Sequence, residues 1–152
     1  MSEENLKIVR AYYHAVERVF EAYWEDPRSA LEALKAGEVN PQGVEMLRYL
    51  HPNAEWKTPL MEITYRGYYG LSSGFDQLVE AAQAYTIKLK EVSNLGENDV
   101  LAVVEVEMQG RSSDIDLKTT MFAVVTVHDG LIIRLSDHLQ RHEALEAAGL
   151  RE

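Results

Sequence analysis

The chain has 152 residues, the length of one domain, with 46% hydrophobic and 26% charged residues, ordinary values for a globular core. Fifteen basic against 25 acidic residues give a formal charge of −10, which argues against nucleic acids and anionic membranes as partners. Cysteine is absent, which excludes disulfides, thiolate nucleophiles and cysteine-ligated metal sites, and is compatible with the cytoplasm.

The first five residues carry the acids Glu3 and Glu4 and lack the apolar stretch of a signal peptide. No apolar run reaches the roughly 18 residues of a membrane span. Leu6, Val9, Tyr13, Val16, Phe20 and Tyr23 recur at spacings of three and four, which predicts one long helix beginning near Ser2. Pro27 breaks it. A short helix is expected over 29–35, stopped by Gly37, and another from Pro41 to Leu50, ended by His51-Pro52-Asn53. Ala54, Trp56 and Thr58 alternate with polar residues as in a short strand. Tyr65-Arg66-Gly67 leads into a glycine-rich turn, and a helix is predicted over Phe75–Ala84. Three longer strands follow, over 85–95, 100–109 and 117–127, then Asp129-Gly130, a strong hairpin signal. A last strand over 131–139 runs into a short helix, stopped by Gly149. Helices first and strands afterwards predict an α+β fold, with the first helix covering the concave face of a curved antiparallel sheet.

The last strand carries the most chemistry. Strict alternation puts Leu131, Ile133, Leu135, Asp137 and Leu139 on one face. A carboxyl among leucines is costly unless paired or protonated, so Asp137 is a candidate general acid or base. The alternative is a solvated aspartate near the strand end, or one bonded to an arginine. Glu107 shares a face with Glu105, ordinarily a solvated one; if it faces inward it is a second polar group for Asp137. Trp56 and Tyr13 are candidate ligand-stacking residues or plain core. Tyr12 flanks the helical stripe and reaches the interior only if the helix is slightly rotated. His138 and His142 straddle a strand–helix boundary and make no metal motif. Gly70-Leu71-Ser72-Ser73-Gly74 matches a nucleophile-elbow pattern but stands in the wrong element order, and a helix-entry turn is expected there.

Several segments together resemble the nuclear transport factor 2-like superfamily and its SnoaL-like group. They are the opening helix over Asn5–Val16, Pro52-Asn53-Ala54-Glu55-Trp56-Lys57-Thr58-Pro59, and Tyr65-Arg66-Gly67-Tyr68-Tyr69-Gly70. The last is His128-Asp129-Gly130-Leu131-Ile132-Ile133-Arg134-Leu135-Ser136-Asp137-His138-Leu139, similar to the final strand of SnoaL-like cyclases and limonene epoxide hydrolases. The resemblance covers nearly the whole chain, with 26–50 longer than the usual connection. It implies a single SnoaL-like domain over 1–152, a cone-shaped, mixed, mainly antiparallel sheet around the N-terminal helix, as in cystatin-like α+β barrels. It also implies an apolar pocket, expected to be lined by Tyr13, Val16, Phe20, Trp56, Leu135 and Leu139, and a homodimer through the outer sheet face. In the cyclases a pocket aspartate works as acid and base without metal or cofactor, and Asp137 resembles it. Two departures stand out. Ketosteroid isomerases pair a first-helix tyrosine, here Tyr12, with two acids, whose places fall on Thr58 and near Ala123. The arginine-containing triplet of the epoxide hydrolases falls on Glu105-Val106-Glu107. The expectation is a cofactor-independent cyclase, isomerase, hydrolase or lyase acting on a small, largely apolar ligand. A non-catalytic binding module of the same fold is the alternative.

Overall fold

A computed structural model describes residues 2–25, 45–59, 63–68, 70–71, 73–74, 77, 82–110 and 116–149. The first helix, α1 (Ser2–Glu25), has 24 residues, with Glu3 and Glu4 in its first turn, where acids suit the helix dipole. Its buried side is Asn5, Val9, Tyr12, Tyr13, Ala15, Val16 and Phe20. The strands are β1 (Leu50–Lys57), β2 (Thr64–Arg66), β3 (Ala82–Asn94), β4 (Asp99–Gly110), β5 (Asp116–His128) and β6 (Leu131–His138), followed by a short helix, α2 (Arg141–Ala147).

The six strands form one sheet in the order β2-β1-β6-β5-β4-β3. The β1–β6 pair is parallel and the others are antiparallel. The fold is the expected α+β one, a curved mixed sheet with α1 laid chiefly along β3. The sheet stays open, with β2 and β3 as its edges. Val9, Val16 and Phe20 meet Val100, Ala102, Val104, Val125 and Ile132 in the main core. Two polar contacts fix α1. Asn5 Nδ2 donates to the Glu97 carbonyl at 3.1 Å. Glu17 Oε1 accepts the Leu89 N–H at 2.7 Å, beside the register shift between Leu89 and Glu91. Such a bulge leaves backbone groups that the ladder does not pair, and Glu17 takes up one of them. No helix among the described residues is long and apolar enough to cross a membrane.

Three expected boundaries move. The helix predicted from Pro41 persists over 45–47, but the chain is extended from Leu50, which pairs with Ile132 of β6. Pro52 is tolerated because it falls in the irregular stretch between Leu50 and Glu55, where no ladder bond needs its missing N–H. Ala82–Ala84, predicted as the end of a helix, belong to β3 instead, and the pairing of Ala82 with Gly110 overrides alanine's helical preference. Thr64–Arg66, read as the approach to a turn, is an edge strand on β1. The Asp129-Gly130 turn forms as expected, with φ of 51° and 79°, the left-handed pair of a two-residue hairpin. The helix predicted at 29–35 and most of the 26–50 insertion lie outside the described residues.

Candidate functional site

A cavity of about 60 Å³ lies between α1 and the concave face of the sheet. Helical spacing brings Tyr12, Tyr13, Val16 and Phe20 to it from α1. Strand alternation brings Trp56 from β1, with Thr58 just beyond it, Tyr85 and Ile87 from β3, Val104 and Val106 from β4, Met121 from β5, and Leu135 and Asp137 from β6. Asp137 is the one carboxyl among these lining residues, and none of them is a histidine.

The strand β6 is not regular. Thr126 pairs with Arg134 but Val127 pairs with Ile132, so Ile133 is an extra residue. The bulge resets the alternation. Ile132 is fully buried, Leu135 is 3% exposed, and Leu131 and Ile133 are only partly buried. Strict alternation from Leu131 is therefore wrong upstream of the bulge and right at Leu135 and Asp137. Leu139 falls beyond the strand end, is 49% exposed, and does not line the cavity.

Asp137 keeps partial accessibility because it opens onto the cavity. Trp56 Nε1–H donates to its Oδ2 at 2.9 Å, and the Thr58 hydroxyl supplies a second hydrogen bond. Desolvation dominates and pushes the Asp137 carboxyl up to about 6, while the Trp56 and Thr58 bonds hold it back. Desolvation, helped by the Asp137 charge, also raises the Tyr12, Tyr13 and Tyr85 hydroxyls, so all three remain neutral donors at physiological pH.

The indole that holds Asp137 is itself wedged. Trp56 stacks on Tyr65 with centroids 5.3 Å apart and planes 30° apart. On Gly74, a Cβ would stand 2.6 Å from Trp56 Cζ3 and 3.1 Å from Tyr65 Cδ2. Only glycine allows so close an approach. The Tyr65 hydroxyl donates to Gln77 Oε1.

Of the sequence candidates, Asp137, Tyr12, Tyr13, Val16, Phe20, Trp56 and Leu135 come together here. Glu107 does not. Val104 and Val106 take the inner face of β4, so Glu105 and Glu107 point outward, where Lys118 bridges them at 3.4 and 3.5 Å. Thr58, Tyr85, Ile87, Val104, Val106 and Met121 line the cavity without being expected to from the sequence. Thr58 shares Trp56's alternation, and Tyr85 and Ile87 share that of β3, so their signal was present. Ser136 and His138 lie 3.0 Å apart, and desolvation lowers the His138 imidazole. Among the described residues no cluster of three or more histidine or acidic side chains is placed to hold a metal ion.

The sequence matches the model of the SnoaL-like domain over residues 9–135. A comparison with curated proteins finds no significant match. Among solved structures, one similar fold is TerC co-crystallised with polyporic acid, with a TM-score of 0.63 and 15% identity over 94% of this chain and 98% of that one. A nuclear transport factor 2-like protein of unknown function from Burkholderia pseudomallei has a TM-score of 0.66 and 14% identity, over 96% and 97%. An LEH-like epoxide hydrolase of M. tuberculosis has a TM-score of 0.61 and 12% identity, over 95% and 89%. At these identities the likeness is one of fold.

Proposed function

The chain belongs to the SnoaL-like domain family, and we propose that it is an enzyme of that family. It moves a proton on a small, largely apolar substrate, with Asp137 as acid and base and no metal or cofactor. The observation that carries this reading is the Asp137 carboxyl, set in an apolar cavity, anchored through one oxygen by Trp56 and brought to about 6. A carboxyl near that value is mostly ionised at pH 7 and takes a proton from a substrate C–H or O–H. Once neutral, it returns the proton to a different atom. The Trp56 N–H and Thr58 hydroxyl steady the carboxylate between the steps.

Asp137 works without a second carboxyl. Ala123 is its partner across the β5–β6 ladder, and the family resemblance puts the place of the isomerases' base on Thr58. With Glu105 and Glu107 turned outward, the hydrolase-type arginine–carboxylate arrangement has no counterpart in the cavity lining. The substrates to screen are polyketide-like carbonyl compounds, quinones of the polyporic acid type held by TerC, and epoxides. Turnover that disappears in Asp137→Asn while the fold persists supports the enzyme. A tightly held ligand that is never converted by the native protein supports a binding module instead. We further propose that two copies pair across the convex face of the sheet, which a light-scattering mass of twice the chain would support and a monomer mass would exclude.

A further inference from the structure

The cavity between α1 and the sheet carries one carboxyl and no basic group to match it. Asp137 is the one acid among its described lining residues, and none of these is a lysine, arginine or histidine. Its hydrogen bonds come from Trp56 and Thr58, both neutral donors. They steady the charge without cancelling it. An enclosed charge without an opposite charge is costly, yet this carboxyl is mostly ionised at pH 7. The cavity is therefore short of one positive charge, which a ligand can supply. The formal charge of −10 on the whole chain draws cations toward the molecule and repels anions.

The rest of the lining selects the kind of cation. Tyr12, Tyr13, Phe20, Trp56 and Tyr85 share the cavity with the carboxyl. The π faces of such rings attract a positive charge, and several rings together recognise methylated ammonium groups. Tyr12 and Tyr13 meet edge to face, with centroids 5.1 Å apart and planes at 77°. Phe20 and Tyr85 are tilted by 47° at 4.8 Å. Neither pair is stacked face to face, so π surface remains for a third group. Apart from Thr58, the other walls are valine, isoleucine, leucine and methionine. Against these walls the surplus N–H groups of a bare ammonium or a guanidinium would lose water and gain no acceptor, whereas methyl groups gain by burial. A metal ion needs several oxygen or nitrogen ligands, and this lining offers a single carboxylate. The volume of about 60 Å³ is room for roughly four to six water-sized groups, the size of trimethylammonium or tetramethylammonium.

We propose that this cavity binds a small methylated ammonium ion, tertiary or quaternary, with Asp137 as its counter-charge and the aromatic rings as its cage. The proposal goes beyond the proton-transfer reading. It needs the charge of Asp137 and no turnover, and the ion competes with substrate for the same space.

The test uses the full chain at pH 8, with tetramethylammonium chloride as the cation and tert-butanol as an uncharged molecule of similar size. Calorimetry should show the cation held at least tenfold more tightly than the alcohol. Its methyl proton resonance should move upfield on binding, as it does over aromatic faces. Asp137→Asn should weaken the cation roughly tenfold to a hundredfold and leave the alcohol unchanged. Phe20→Leu keeps an apolar side chain but removes a ring, and should lower the ratio of cation to alcohol affinity roughly twofold to thirtyfold. None of these readouts involves turnover, so failure of the enzyme reading and failure of this one are distinguishable. A native protein that holds tetramethylammonium no better than tert-butanol overturns the proposal. So does cation binding that Asp137→Asn leaves undiminished, or a methyl resonance that stays in place at saturation.

Discussion

The two faces of the sheet treat carboxyl groups in opposite ways. On the concave face, Asp137 sits among valines, leucine and aromatic rings, and loss of water raises it to about 6. On the convex face, desolvation also opposes ionisation of Glu105, but Lys118 and Lys90 outweigh it and hold that carboxyl below its usual range. Strand alternation decides which fate an acid meets, and the acid's own chemistry does not. The lesson is that an acid's usefulness here depends on its phase in the strand, which a single bulge can reverse.

The largest effect is expected from breaking the concave side. Asp137→Asn should lower turnover roughly 10²- to 10⁴-fold, the usual worth of a positioned acid or base, measured on any substrate from the carbonyl screen. The same variant should be more stable than the native protein above pH 6. The folded carboxyl titrates near 6 and the unfolded one near 3.8, so ionisation favours the unfolded chain. The native protein therefore loses stability as pH rises through that window, by about 3 kcal/mol at most, and is level above it. Denaturant titrations of both proteins at pH 4 and pH 8 measure this. A gap that closes at pH 8 and opens at pH 4 has the wrong sign.

Next comes the anchor. Trp56→Phe keeps an aromatic ring but loses the N–H, so Asp137 should titrate higher still, by about one to two units, the worth of a hydrogen bond to a charged group. The rising limb of the pH–rate profile should follow. Gly74→Ala acts on the same bond indirectly. Its methyl collides with Trp56, which should cost about 1–3 kcal/mol of stability and move the Asp137 titration upward by less than Trp56→Phe does. A drop in melting temperature with an unmoved titration would make Gly74 merely structural. The smallest effect belongs to the convex face. Lys118→Ala should leave turnover unchanged, and the Glu105 titration should return toward its ordinary value.

Much of this was legible in the sequence. The apolar stripe on α1, the four long strands and the Asp129-Gly130 turn follow from periodicity and turn chemistry, which are local. Alternation puts Asp137 and Leu135 on the inner face correctly but misplaces Leu131 and Ile133, because the extra residue at Ile133 leaves no signature in residue type. Leu139 reads as strand because an apolar residue continues the pattern one step past the last pairing at His138. Glu107 depended on the phase of β4, where Val103, Val104 and Val106 are apolar on both faces and leave the phase open. Tyr12 hinged on a small rotation of α1, and Val9, Tyr12, Ala15 and Val16 show the buried stripe to be broad enough to include it. The stacking of Trp56 on Tyr65 and Gly74 is a tertiary contact that no local pattern encodes.

Proton transfer in this cavity depends on the state of one carboxyl. Carbon-13 NMR of the Asp137 side-chain carboxyl, assigned by its loss in Asp137→Asn, measures it directly. A midpoint near 6 is predicted from desolvation opposed by Trp56 and Thr58. A midpoint at or below about 3.9 would mean a solvated carboxylate and contradict the proton-transfer role.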